Sequence, residues 1–291
     1  MLALSLVAAL VMSVRSPVGA QSGNRERTLF VSAVNDKGEP VDGLEPDAFV
    51  VREDGVRREI LRVSRATEPI DIALLVDNST AVRDDITFIR EGVSKFVARM
   101  APNNDIALIA LADRPTIFVD YTKDTKKLMD GVGRLFPMPM SGMTLLDGIY
   151  ETARGLEKRE TPRAVIVAVF TDGREFTNRY SRDVAAEAKK AQAPLEFVTI
   201  GQFLYSEEQG IRERSFLLDE GPRMTGGSRI SLLAPMALPD VMDRLARVLS
   251  SQYKVVYGRP ESLIPPEKIE VSSARSEVSM HGAPARGKAG A

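Results

Sequence analysis

Apolar residues change their spacing along the chain, and each spacing predicts a different element. Positions 2–14 are almost wholly apolar. From Thr28 to Arg65 the apolar residues sit in short runs cut by turn residues. The run 28–34 reads as a strand and Asn35-Asp36-Lys37-Gly38 as a turn. The runs 49–53 and 56–63 flank Asp54-Gly55, a hairpin signal because both turn residues tolerate positive φ. No helix of useful length fits here, so 28–66 is expected to be a small β module.

From Ile70 onward buried-looking runs alternate with stretches of helical period. Strands are predicted at 70–76, 105–111, 164–170, 195–200 and 229–233, with 116–119 as a hairpin partner at the sheet edge. Helices are predicted at 84–100, 124–136, 145–159, 181–193 and 239–252. In the first, Ile86, Ile89, Val93, Phe96, Val97 and Met100 fall on one face. Apolar strands alternating with amphipathic helices indicate an α/β fold, a doubly wound and mainly parallel sheet covered on both faces, over 68–252. Two further strands are expected at 253–257 and 269–272, within a segment 253–274 that returns to the N-terminal module. The polar stretch 21–27 and the tail 275–291 read as disordered. The charged segment 201–225, with Glu207, Glu208, Arg212, Glu213 and Arg214, reads as a solvated helix face or a binding rim.

Composition narrows the chemistry. Lys+Arg (39) and Asp+Glu (40) nearly cancel, which gives no electrostatic reason to expect nucleic acid as a partner. There is no cysteine, so disulfides, zinc-thiolate sites and thiol nucleophiles are all excluded. The one histidine, His281, falls in the tail and reads as solvated coil, which leaves Ser/His/Asp catalysis without a base. No glycine-rich phosphate loop follows the first buried strand.

The apolar start followed by Val18-Gly19-Ala20 matches a secretory signal, residues 1–20, cleaved after Ala20. Its run is shorter than the ~20 residues of a membrane span. No permanent membrane span is therefore expected, and the protein is expected to be exported, periplasmic or secreted. No positive charge precedes the apolar run, which places the true start codon upstream as an alternative.

In an open α/β sheet, ligands bind where the loops at the carboxyl ends of the strands converge. Three such loops carry one kind of chemistry: Asp77-Asn78-Ser79-Thr80-Ala81, Ser141-Gly142-Met143-Thr144 and Thr171-Asp172-Gly173. Carboxylates and hydroxyls without histidine or cysteine suit a hard cation such as Mg²⁺. Plainer roles exist for the same residues. Ser79 and Thr144 suit helix N-caps, Asp172-Gly173 an ordinary turn, and Asp147 a first-turn acid facing the helix dipole.

These loops, in this order over about 70–252, resemble the von Willebrand factor type A domain and its metal-ion-dependent adhesion site, written Asp-x-Ser-x-Ser, then Thr, then Asp-Gly. The stretches 34–44, Asp47-Ala48-Phe49 and Glu53-Asp54-Gly55 resemble the segment preceding this domain in exported bacterial proteins well represented in Acidobacteria. The resemblance implies a protein-binding module for adhesion or assembly rather than an enzyme. It implies Asp77, Ser79, Thr144 and Asp172 as the metal-site residues. Ser79 and Thr144 would ligate directly or nearly so, while Asp77 and Asp172 would hold waters. The cofactor implied is Mg²⁺, with Mn²⁺ or Ca²⁺ as alternatives, and a carboxylate from a protein partner would complete the coordination. The sequence departs from the pattern at Ala81, where the second serine is missing and the site is degenerate.

Two other functions compete. A metal-independent scaffold of the cell envelope fits the loss at Ala81. A Mg²⁺-dependent phosphotransferase of the haloacid-dehalogenase type also places an Asp after its first strand. It needs a second Asp two residues on, and that position is Ser79.

Overall fold

The computed structural model describes residues 24–203, 206–260 and 264–286. The signal-like segment 1–20 therefore lies outside the described residues. The strands are β1 (Asn24–Val34), β2 (Phe49–Glu53), β3 (Val56–Arg58), β4 (Ile60–Arg65), β5 (Ile70–Val76), β6 (Asp105–Ala110), β7 (Thr116–Thr122), β8 (Arg163–Thr171), β9 (Leu195–Ile200), β10 (Ser228–Leu232), β11 (Tyr253–Pro260), β12 (Ile269–Ser273) and β13 (Ser279–Pro284). The α-helices are α1 (Ile86–Met100), α2 (Thr125–Gly133), α3 (Leu145–Leu156), α4 (Ser181–Lys190), α5 (Gln209–Thr225) and α6 (Leu238–Ser250). Among the described residues no helix is long and apolar enough to cross a membrane.

The central sheet has the order β10-β9-β8-β5-β6-β7, parallel throughout except for β7, which runs antiparallel at one edge. β5 shows why both faces need helices. Its side chains alternate, so Ile70, Ile72, Leu74 and Val76 pack on one side with α1, α2 and α6. Ala73 and Leu75 face the other side, against α3, α4 and α5. A strand buried on both faces is the condition for a doubly wound sheet.

The N- and C-terminal strands build a second unit together. A four-stranded antiparallel sheet β13-β1-β11-β4 and a three-stranded sheet β12-β2-β3 share one apolar core of Leu29, Val31, Phe49, Val51, Tyr253 and Val255. Phe49 meets Tyr253 edge-on at 5.2 Å. The β2–β3 hairpin turns at Asp54 and Gly55, with φ of 47° and 82°, as the Asp-Gly pair predicts. Arg163, at the start of β8, ties the two units. It reaches the Glu68 and Leu249 carbonyls and the Gln252 side chain while lying over the Phe30 ring.

Several expectations need correction. The stretch 21–27 is not wholly disordered, because β1 begins at Asn24 and its first residues pair with β11. The tail is not loose up to residue 286. β13 pairs with β1, and His281 lies opposite Ser32. Arg286 donates to the Leu156 and Arg159 carbonyls at the end of α3. The segment expected as 56–63 splits into β3 and β4, which belong to different sheets. The helix expected at 124–136 stops at Gly133, before Pro137, and that expected at 145–159 stops at Leu156. The stretch 201–225 contains α5, whose Glu213, Arg214, Leu217 and Leu218 are buried rather than solvated.

Candidate cation and partner site

The residues expected to act together leave neighbouring strands of the central sheet at their carboxyl ends. Asp77 follows β5 and is fully buried. Its Oδ1 accepts the Ser79 N–H at 2.8 Å, and its Oδ2 accepts the Thr171 N–H at 3.2 Å and hydroxyl at 2.6 Å. A carboxylate held this way shapes the loop. It is not placed as a nucleophile, which needs a free oxygen at an open surface.

Ser79 is 1% exposed, yet its hydroxyl makes no hydrogen bond among the described residues. The oxygen is not among the fully enclosed polar atoms that lack a partner, so it keeps some solvent contact. Thr144 precedes α3, and its hydroxyl donates to the Leu111 carbonyl at 2.8 Å, which leaves the oxygen lone pairs free. Neither side chain caps the helical turn it precedes, so the plainer N-cap role is absent for both.

Asp172 follows β8 and is exposed. Its Oδ2 accepts the Gln202 N–H at 3.0 Å, and Oδ1 has no hydrogen-bond partner among the described residues. Gly201, at φ 104°, lets this carboxylate approach, since a Cβ there would lie 2.8 Å from it. Gly173 completes the convergence. A Cβ on it would fall 2.6 Å from the Ala81 Cβ and 3.7 Å from the Ser79 hydroxyl oxygen. The missing serine position therefore faces the Asp-Gly turn directly.

Other residues emerge only from the structure. Asn78 accepts the Ala112 N–H just after β6 at 2.9 Å and donates to the Phe136 carbonyl at 3.4 Å, and Thr80 donates to the Met138 carbonyl at 2.9 Å, so both pin the loop between α2 and α3. Asp85 does not cap α1, and burial together with Asp84 and Asp172 raises its carboxyl above the ordinary range. Glu175 is 2% exposed. Its Oε1 accepts the Leu146 N–H at 3.2 Å and its Oε2 has no partner among the described residues. Burial pushes its pKa up to about 8. Asp147, in the first turn of α3, pairs with Arg179 at 2.7 Å. Asp113, Thr144, Asp147, Glu175, Phe176 and Glu208 line a cleft beside the site.

The mouth is rimmed by apolar side chains that water would ordinarily exclude from a surface. Phe136, Met138, Met140 (96% exposed) and Phe176 are all exposed. The two loops that carry them are bonded together through Met143, whose N–H and carbonyl pair with Arg174 and Phe176. A Cβ on Gly142 would fall 2.6 Å from the Phe176 ring.

The donor set fits a hard cation in part. Two hydroxyl oxygens and one carboxylate oxygen are unspent, and Ala81 withholds a third hydroxyl. Among the described residues no three His, Cys, Asp or Glu side chains converge as a metal-binding group. Coordination here would thus rest on hydroxyls and water, as Mg²⁺ accepts.

Residues 72–175 match the family model of the von Willebrand factor type A domain. The fold is similar to von Willebrand factor type A from Catenulispora acidiphila, with a TM-score of 0.52 and 10% identity over 92% of this chain and 64% of that one. It is also similar to proximal thread matrix protein 1 from the mussel byssus, with a TM-score of 0.51 and 15% identity over 68% of this chain and 49% of that one. The chain spans about half the length of the byssus structure and just under two thirds of the Catenulispora one. No curated protein matches it in sequence. At these identities the likeness is one of fold.

Proposed function

We propose that the von Willebrand factor type A domain of this chain is a protein-binding module. It engages its partner at the carboxyl end of the central sheet through Asp77, Ser79, Thr144 and Asp172. Domains of this type are in general interaction modules rather than enzymes, and they often hold a metal ion. The observation that carries the reading is that the Ser79 hydroxyl, on a residue 1% exposed, and one Asp172 carboxylate oxygen both lack a hydrogen-bond partner among the described residues.

Ser79 and Thr144 would hold a Mg²⁺ ion, with Asp172 orienting its waters and Asp77 contributing negative charge from beneath. Bound there, the ion would supply a point of attachment for a carboxylate of the partner. The chain's own contribution is the frame. Asp77 fixes the Ser79 loop against β8, Gly201 admits the Asp172 carboxylate, and the rim of Phe136, Met138, Met140 and Phe176 offers apolar contact area. Exposed apolar clusters of this kind mark interaction sites, and methionine suits them because it repacks easily. Export, expected from the apolar N-terminal run, is part of the same reading and places the partner outside the cytoplasm.

Ala81 favours a second reading, a scaffold that binds its partner without a cation. Isothermal titration with Mg²⁺, followed by a glutamate-containing peptide, separates the two. The first reading expects saturable Mg²⁺ uptake that Asp172→Ala abolishes, and peptide binding that EDTA removes. Unchanged heat with either protein at millimolar Mg²⁺ selects the scaffold.

A further inference from the structure

Arg214 has no counterpart in the motif, yet it is a charged residue built deep into the site. It is 1% exposed and sits in the second turn of α5. Its guanidinium donates to the carbonyl of Gly173 and to that of Asp172, the latter at 3.3 Å. It lies 4.9 Å from the centre of the Phe203 ring, and its Nε has no partner among the described residues. It forms no close ion pair among the described residues; the charges within its electrostatic reach are Glu175, Asp77, Asp172 and Glu208. A buried guanidinium whose hydrogen bonds go to two backbone carbonyls takes up none of these carboxylates directly. Its charge is shared across the site rather than cancelled by one partner.

We propose that Arg214 is a built-in counter-ion: it holds the Asp172-Gly173 turn from the protein side and supplies positive charge that an ion would otherwise bring. The site is therefore shaped without metal and takes up divalent cations weakly. This rests on the reading of the same residues as a cation site. Arg214 acts as a positioning residue, setting affinity through Asp172 and Asp77 rather than by touching the ligand.

Two measurements on the full chain test it. In hydrogen exchange of the wild-type protein, amides 171–175 are expected to be equally protected in Mg²⁺ and in EDTA. Protection that collapses in EDTA overturns the proposal without any variant. In titrations, Arg214→Met is expected to bind Mg²⁺ about tenfold more tightly, because a nearby like charge has gone. Its melting temperature should also rise with Mg²⁺ more than that of wild type. Arg214→Lys keeps the charge and should bind Mg²⁺ within about threefold of wild type while losing amide protection at 171–175. Equal Mg²⁺ affinity in folded Arg214→Met and wild type overturns the proposal and leaves the cation site standing. No Mg²⁺ uptake by either folded protein overturns both.

Discussion

Asp77 and Thr171 join the two central strands beneath the site: the Thr171 hydroxyl donates to Asp77 Oδ2 at 2.6 Å, and the Thr171 N–H reaches the same oxygen at 3.2 Å. Asp77 thereby spends one oxygen on β8 and the other on the Ser79 N–H. The loop that presents Ser79 is locked to the strand that presents Asp172. A buried carboxylate is tolerated there because each oxygen is hydrogen-bonded.

Removing that hydroxyl should cost more than its size suggests. Thr171→Val preserves shape and strand propensity but leaves Asp77 with one fewer donor. We expect a loss of about 2 kcal/mol in urea unfolding, as for hydrogen bonds to a buried charged group.

Restoring the missing serine should strengthen the site. The Ala81 Cβ points at the Asp-Gly turn, within 2.6 Å of where a Cβ on Gly173 would stand. Ala81→Ser adds a hydroxyl oxygen at that place. Its Mg²⁺ affinity in calorimetry should rise about tenfold, equivalent to about 1.4 kcal/mol.

Stability should fall as pH rises through the neutral range at Glu175. Its pKa stands at about 8 in the fold against an ordinary 4.5, because burial disfavours the carboxylate. The folded state therefore binds more protons than the unfolded state between these values. The stabilisation is complete below about 4.5 and is lost as pH climbs towards 8. Glu175→Gln should match wild type in melting temperature at low pH and exceed it above pH ~8.

The C-terminal strand should prove integral to the fold. Gly226 ends α5 at φ 78°, and its α-carbon lies against the carbonyl of Gly282 in β13. Any side chain there is both strained and obstructed. Gly226→Val should destabilise by at least about 2 kcal/mol, read from denaturant melts. Deleting 279–286 should leave β1 with an open edge and raise protease sensitivity.

Much of the fold was legible because its signals are periodic. The apolar runs of β5, β8 and β9, broken inside only by Asp71, Glu196 and Thr199, announce a sheet buried on both faces, and Asp54-Gly55 announces its own turn. What escaped lacked a local signature. β13 reads Ser-Met-His-Gly-Ala-Pro and owes its conformation to pairing with β1, more than two hundred residues away. α5 hid behind its charges, since Glu213 and Arg214 occupy buried positions that are normally apolar. Glu213 is satisfied there by the Ser181 hydroxyl and N–H, each at 2.8 Å. The candidate site was readable as four residue types in order. That the Ser79 hydroxyl would be left without a partner, and that Arg214 would stand behind Asp172, depends on packing that no spacing reveals.

The most direct test of the cation site is anomalous diffraction from crystals of the protein grown with Mn²⁺. The account predicts one strong peak within coordination distance of the Ser79 and Thr144 hydroxyls, about 2.2 Å for a hard cation of this size, with water between it and Asp172. No peak there in well-ordered crystals at millimolar Mn²⁺, or a peak elsewhere alone, would contradict it.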